Sequence, residues 1–67
     1  MNTIYKATTR YIGADGTTTM YFRYRTTAEA FIEKAGNIGE IEELNCTIEI
    51  EDGMTADEIM YYGGKII

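Results

Sequence analysis

Leu44-Asn45-Cys46-Thr47-Ile48-Glu49-Ile50-Glu51 carries an apolar residue at every second position. Leu44, Cys46, Ile48 and Ile50 form one set. Asn45, Thr47, Glu49 and Glu51 form the other, with Glu43 in phase before them. Successive side chains of an extended chain point to opposite sides, so this alternation predicts a strand with one buried face and one wet face. The wet set is acidic and belongs to a longer acidic tract from Glu40 to Glu58. The stretch therefore supplies much of the expected core and is the centre of the chain's charge asymmetry.

Upstream, Asn37 to Glu43 is ambiguous: Ile38 keeps phase with Leu44 and Ile41 does not. A bulge or turn around Glu40–Glu43 would reconcile them. Before it, Ala28, Phe31, Ile32 and Ala35 follow i, i+3, i+4, i+7 spacing, the mark of one apolar helical stripe. Thr26-Thr27-Ala28-Glu29 fits a capping box with Thr26 as N-cap. Gly36 suits the left-handed residue that ends the helix.

Further back, Thr3–Ile12 and Thr17–Arg25 are rich in Thr, Tyr, Ile and Phe and read as strands. Gly13-Ala14-Asp15-Gly16 between them reads as a hairpin turn. With a two-residue loop, odd positions of the first strand share a face with even positions of the second. Tyr5, Ala7, Thr9 and Tyr11 then lie with Met20, Phe22 and Tyr24, and the opposite face carries Lys6, Thr8, Arg10, Tyr21, Arg23 and Arg25. A three-residue loop would put Lys6 and Arg10 among the apolar set, which one-sided burial disfavours.

Downstream, Asp52-Gly53 reads as a turn, and Thr55-Ala56-Asp57-Glu58 as a second capping box opening a short helix to Tyr62. Gly63-Gly64 stops it, and Lys65-Ile66-Ile67 forms a short edge strand or a packed tail. The expected fold is α+β: one ββαβα domain over residues 1–67, its three-stranded antiparallel sheet in the order 2-1-3, with one helix on one face. The order of hairpin, helix, strand, short helix and last strand resembles the β-grasp (ubiquitin-like) family. Glu51-Asp52-Gly53-Met54-Thr55 is similar to the turn before the short helix there. Gly63-Gly64 is followed by Lys65-Ile66-Ile67, so the resemblance does not extend to ubiquitin-type conjugation.

Composition narrows the function classes. Sixty-seven residues make a single small core of modest net stability. One cysteine and no histidine exclude an intrachain disulfide and a Cys/His zinc site. A lone cysteine suits a reducing compartment. No apolar run approaches the roughly 20 residues of a membrane span, and Met1–Lys6 lacks the apolar stretch of a signal peptide. A cytoplasmic protein without membrane partners is expected.

Catalysis has little to work with. The commonest general base is missing. Cys46 belongs to the apolar set and reads as a packing residue. A domain of this size leaves little room for a ligand pocket of roughly 300 Å3. No phosphate-binding loop is present, and the acidic runs lack the loop geometry of a calcium site. No enzyme activity, cofactor or metal is expected.

Charge is segregated. Residues 1–34 carry +2 and residues 35–67 carry −7, within a total of −5. Part of this balances internally if Lys6 and Arg10 face strand-three glutamates across the sheet. A nucleic-acid partner would need an uncompensated basic face; Tyr21 among Arg10, Arg23 and Arg25 is a small version of one, and the neighbouring glutamates and net charge oppose it. Acidic imitation of a duplex is sparse as well. Glu43 to Glu51 spans about 26 Å, over which a duplex carries about 15 phosphates.

The expected function is therefore a non-catalytic protein-binding module that meets a basic surface on a protein partner. Glu49, Glu51, Asp52, Asp57, Glu58, Tyr21, Tyr61 and Tyr62 are the contact candidates. Acids supply charge complementarity, and tyrosines are interface anchors. Size, acidity and the lack of catalytic groups resemble the small accessory proteins of phages and mobile elements, among them inhibitors of host defence such as anti-CRISPRs. The competing expectation is a structural protein that forms a homodimer through a sheet edge.

Overall fold

The computed structural model describes residues 1–10, 16–36 and 38–67. Asn2–Thr9 (β1) and Thr18–Phe22 (β2) consist mostly of β-branched and aromatic residues, which suit a pleated surface. They pair antiparallel with Tyr5 opposite Phe22 and Ala7 opposite Met20, the register expected from an even-length loop. β2 is shorter than its composition predicts, ending at Phe22 rather than Arg25. The predicted turn residues Gly13, Ala14 and Asp15, together with Tyr11, lie outside the described residues. Tyr24 does not join the core: it is exposed and serves as the N-cap of the following helix.

That helix, α1, runs Arg25–Lys34. The capping box expected at Thr26 and Glu29 is absent, because the helix starts two residues earlier and Tyr24 supplies no side-chain cap. A carboxylate from a distant loop serves this end instead. Asp52 Oδ1 accepts the Arg23 backbone N–H at 3.0 Å and lies 2.8 Å from the Thr27 hydroxyl. The apolar stripe packs as its spacing predicts, with Ala28, Ile32 and Ala35 buried and the Phe31 ring 5.5 Å from that of Phe22. Gly36 ends the helix at φ 93°, a conformation that costs glycine little.

The third strand, β3, is Gly39–Cys46, and here the structure departs from the alternation at 44–51. It pairs antiparallel with β1, Ile4 opposite Leu44 and Ala7 opposite Ile41, in an unbroken register that contains no bulge. The sheet order is β2-β1-β3, as expected. Ile41 falls out of phase with Leu44 for a simple reason: both faces of the sheet are covered. Tyr5, Ala7, Met20, Phe22 and Ile41 pack under α1. Ile4, Tyr21, Leu44 and Cys46 lie on the other face, in a second cluster with Ile48, Ile50, Met54, Ile59 and Ile66.

This second cluster is built by the C-terminal third of the chain. After Cys46 the backbone bends away from the sheet, and Ile48 and Ile50 reach inward from irregular structure rather than from a strand. Ile48 therefore does not face α1. Met54 then returns to the free edge of β2, where it accepts the Tyr21 N–H at 2.7 Å and donates to the Tyr21 carbonyl at 2.8 Å. A short helix, α2 (Ala56–Tyr61), follows with the predicted capping box on Thr55 and Glu58, and Ile59 is its one buried residue. Gly63 takes φ 82°, and the tail runs along the far edge of β3, where Asn45 and Ile67 exchange backbone bonds of 3.4 and 2.9 Å. The likeness to the β-grasp order thus lies in the sequence of elements: the last segment pairs with β3, and β1 has β2 and β3 as neighbours. Among the described residues no helix is long and apolar enough to cross a membrane.

Candidate functional site

The eight residues expected to meet a partner do not form one surface. Tyr21 is only 7% exposed and belongs to the second core cluster. One-sided burial would have left it wet, but the C-terminal segment covers it. The basic face expected around it is also dispersed. Arg25 lies in α1, and the Arg23 guanidinium pairs with Glu49 while standing 5.6 Å over the Tyr24 ring.

Three of the five acidic candidates have partners within the fold. Glu49 is the partner of Arg23, an exposed pair of the kind that contributes about 0–1 kcal/mol. Asp52 bridges the β2–α1 junction as described. Glu58 completes the α2 capping box, its carboxylate accepting the Thr55 N–H at 3.1 Å while its own N–H donates to Thr55 Oγ1 at 3.2 Å. Both Asp57 and Glu58 also sit in the first turn of α2, where negative charge complements the helix dipole. Glu51 and Asp57 are exposed, and among the described residues their carboxylates have no hydrogen-bond or ion-pair partner.

Replacing all five acids would therefore damage the scaffold along with any binding surface. Asp52→Ala alone should cost about 1–2 kcal/mol, since it removes a charged acceptor from one backbone N–H and one hydroxyl. Asp52→Asn should recover part of that loss. Urea denaturation of the two variants checks both values. Equal stability of Asp52→Ala and the parent would show that the bridge contributes nothing.

The tyrosines are better placed. Tyr61 and Tyr62 are 84% and 65% exposed, with their rings edge to face at 5.3 Å and 86°. Met60 beside them is 71% exposed and was not among the candidates. The signal for it was available: a six-residue helix stopped at both ends turns only one large residue inward. Ile59 takes that place, so Met60 and Tyr61, the next two positions round the helix, face out. Tyr62 also lines a cleft of about 330 Å3 with Ile48, Glu49, Glu51 and Met54. A second cleft of about 340 Å3, bounded by Asn2, Thr3, Ile4, Arg23, Tyr24, Glu49 and Ile50, lies on the other side of Glu49. Both are larger than a domain of this size was expected to hold.

The arrangement is an apolar, aromatic tip beside unpaired carboxylates. Tyrosine and methionine expose much contact area, and few uncommitted charges need desolvation around them. Among the described residues no group of His, Cys, Asp and Glu is placed to hold a metal ion. No protein-family model, curated protein or solved structure matches the chain.

Proposed function

We propose that the chain is a small non-catalytic protein-binding module that presents the end of α2 to a basic surface on a protein partner. Met60, Tyr61 and Tyr62 are the anchors, and Glu51 and Asp57 supply the complementary charge. The exposure of three consecutive large side chains on a helix held by a single buried residue carries this reading. Such a row is costly to leave in water and is typical of an interface hot spot. Size and net charge of −5 fit an accessory or inhibitory protein of a phage or mobile element, one that occupies a basic groove of its target.

A partner captured from host lysate at low salt and then purified allows the direct test. Tyr61→Ala and Met60→Ala should each weaken its binding about 10- to 100-fold, a loss of about 1–3 kcal/mol. Glu51→Gln with Asp57→Asn should mainly flatten the salt dependence. Binding that survives all of these substitutions would overturn the proposal. A competing reading, a self-associating structural protein with internally matched charge, draws support from the Arg23–Glu49 pair and from Lys6 standing opposite Glu42. It requires a salt-resistant dimer on a sizing column.

A further inference from the structure

The outer edge of β3 involves none of the residues of the α2 tip. Asn45 exchanges its backbone bonds with Ile67 on the side of β3 away from β1, and the Thr47 N–H donates to Lys65 on the same side. Backbone groups alternate sides along a strand, so those of Glu43 and Ile41 face the same way as those of Asn45. Among the described residues no backbone group bonds to Glu43 or Ile41 on that edge. The edge is thus already used for pairing at 45–47 and open at 41–43.

Charge decides what the open part takes. Glu40 and Glu42 project on the face shared with Lys6, and Glu43 on the face shared with Tyr5. Lys6 stands opposite Glu42 in the register of β1 and β3. Glu40 and Glu43 stand opposite Thr8 and Tyr5 and have no cation across the strand. A second copy pairing antiparallel about Ile41 would set Glu40 of each chain opposite Glu42 of the other, four carboxylates on one face. Like charges directly opposite are destabilising, and glutamates along an edge are a device against such self-pairing. The same charges attract a strand of opposite sign.

We infer that the β3 edge at Ile41–Glu43 accepts an extended basic segment of another protein by strand addition, with lysine or arginine facing Glu40 and Glu42. Main-chain bonds supply affinity in this mode, and alternate side chains supply specificity.

A blocked heptapeptide of alternating lysine and valine is the probe, with its glutamate–valine counterpart as control. Titrated into the protein, the lysine peptide should slow hydrogen exchange at the Ile41 and Glu43 amides at least tenfold and leave Asn45 unchanged. Glu43→Pro removes one outward N–H without touching the β1–β3 ladder, and should weaken binding at least tenfold. Glu40→Lys leaves every backbone bond in place and should exchange the preference, rejecting the lysine peptide and accepting the glutamate one. Three results would overturn the inference. One is no change at either amide at millimolar peptide. Another is protection confined to Tyr61 and Tyr62, which assigns the peptide to the α2 tip. The last is a free protein that sediments as a dimer with Ile41 and Glu43 already protected, which gives the edge to a second copy.

Discussion

Ile59→Ala should lower stability by about 2–5 kcal/mol, the range for deleting a fully buried aliphatic side chain and leaving a cavity. Ile59 is 0% exposed and packs among Ile4, Tyr21, Cys46, Ile50 and Met54. It is also the only buried residue of α2, and its carbonyl accepts the Gly64 N–H at 2.9 Å, so it fixes both the helix and the turn into the tail. Domains of this length have roughly 3–10 kcal/mol of net stability, so the variant should approach half unfolding well below the melting temperature of the parent. Even where the rest of the chain stays folded, α2 loses its anchor and Met60, Tyr61 and Tyr62 lose their fixed presentation. Thermal melts followed by far-ultraviolet circular dichroism give the first quantity, and near-ultraviolet tyrosine signals the second. A loss below 1 kcal/mol would mean that α2 is held by something other than its one apolar contact.

Gly39→Ala should cost about 1–3 kcal/mol, as overpacking generally does, through a different mechanism. A Cβ on Gly39 would stand 2.4 Å from the Thr8 carbonyl oxygen and 3.1 Å from Thr9 Cα. These are backbone atoms, so no rotamer change relieves the overlap. The surroundings are fixed as well. Thr9 is 1% exposed and donates its hydroxyl to the Ile38 carbonyl at 2.7 Å, and the Arg10 N–H meets that same carbonyl at 3.1 Å. The start of β3 must therefore separate from the end of β1. Hydrogen exchange localises the damage: the Arg10 amide should exchange at least tenfold faster, while amides around Ile59 keep their protection relative to global unfolding. A variant with unchanged stability and exchange would show that the two strands do not approach this closely.

Local rules carried the secondary elements and the sheet order a long way. The α1 stripe, the Thr55–Glu58 capping box, Gly36 as terminator and the odd-with-even register of the hairpin all depend on residues near one another in sequence, and each stands in the structure. The errors about the sheet share one cause, the assumption that it is buried on one face only, whereas the missed cap of α1 comes from a helix whose N-cap is Tyr24, two residues before Thr26. Ile4 is 1% exposed and Tyr21 7% exposed on the face that one-sided burial predicts to be wet. Alternation at 44–51 continues past the end of β3 because Ile48 and Ile50 fold back over that face. Period two records inward and outward positions, not whether the chain is still extended. The same blind spot applied to the acids: side-chain partners as remote as Arg23 and Asp52, or Arg23 and Glu49, are tertiary facts that spacing cannot encode.

The pairing of Ile67 with Asn45 has a practical consequence for handling the protein. Antiparallel register fixes the direction of anything joined to that end: residues appended after Ile67 would be delivered along β3 toward Glu43 and Ile41. A purification tag placed there, above all a lysine-rich one, becomes an intramolecular competitor at high effective concentration for whatever else uses that edge. Met1 is 80% exposed at the opposite terminus and offers the safer point of attachment.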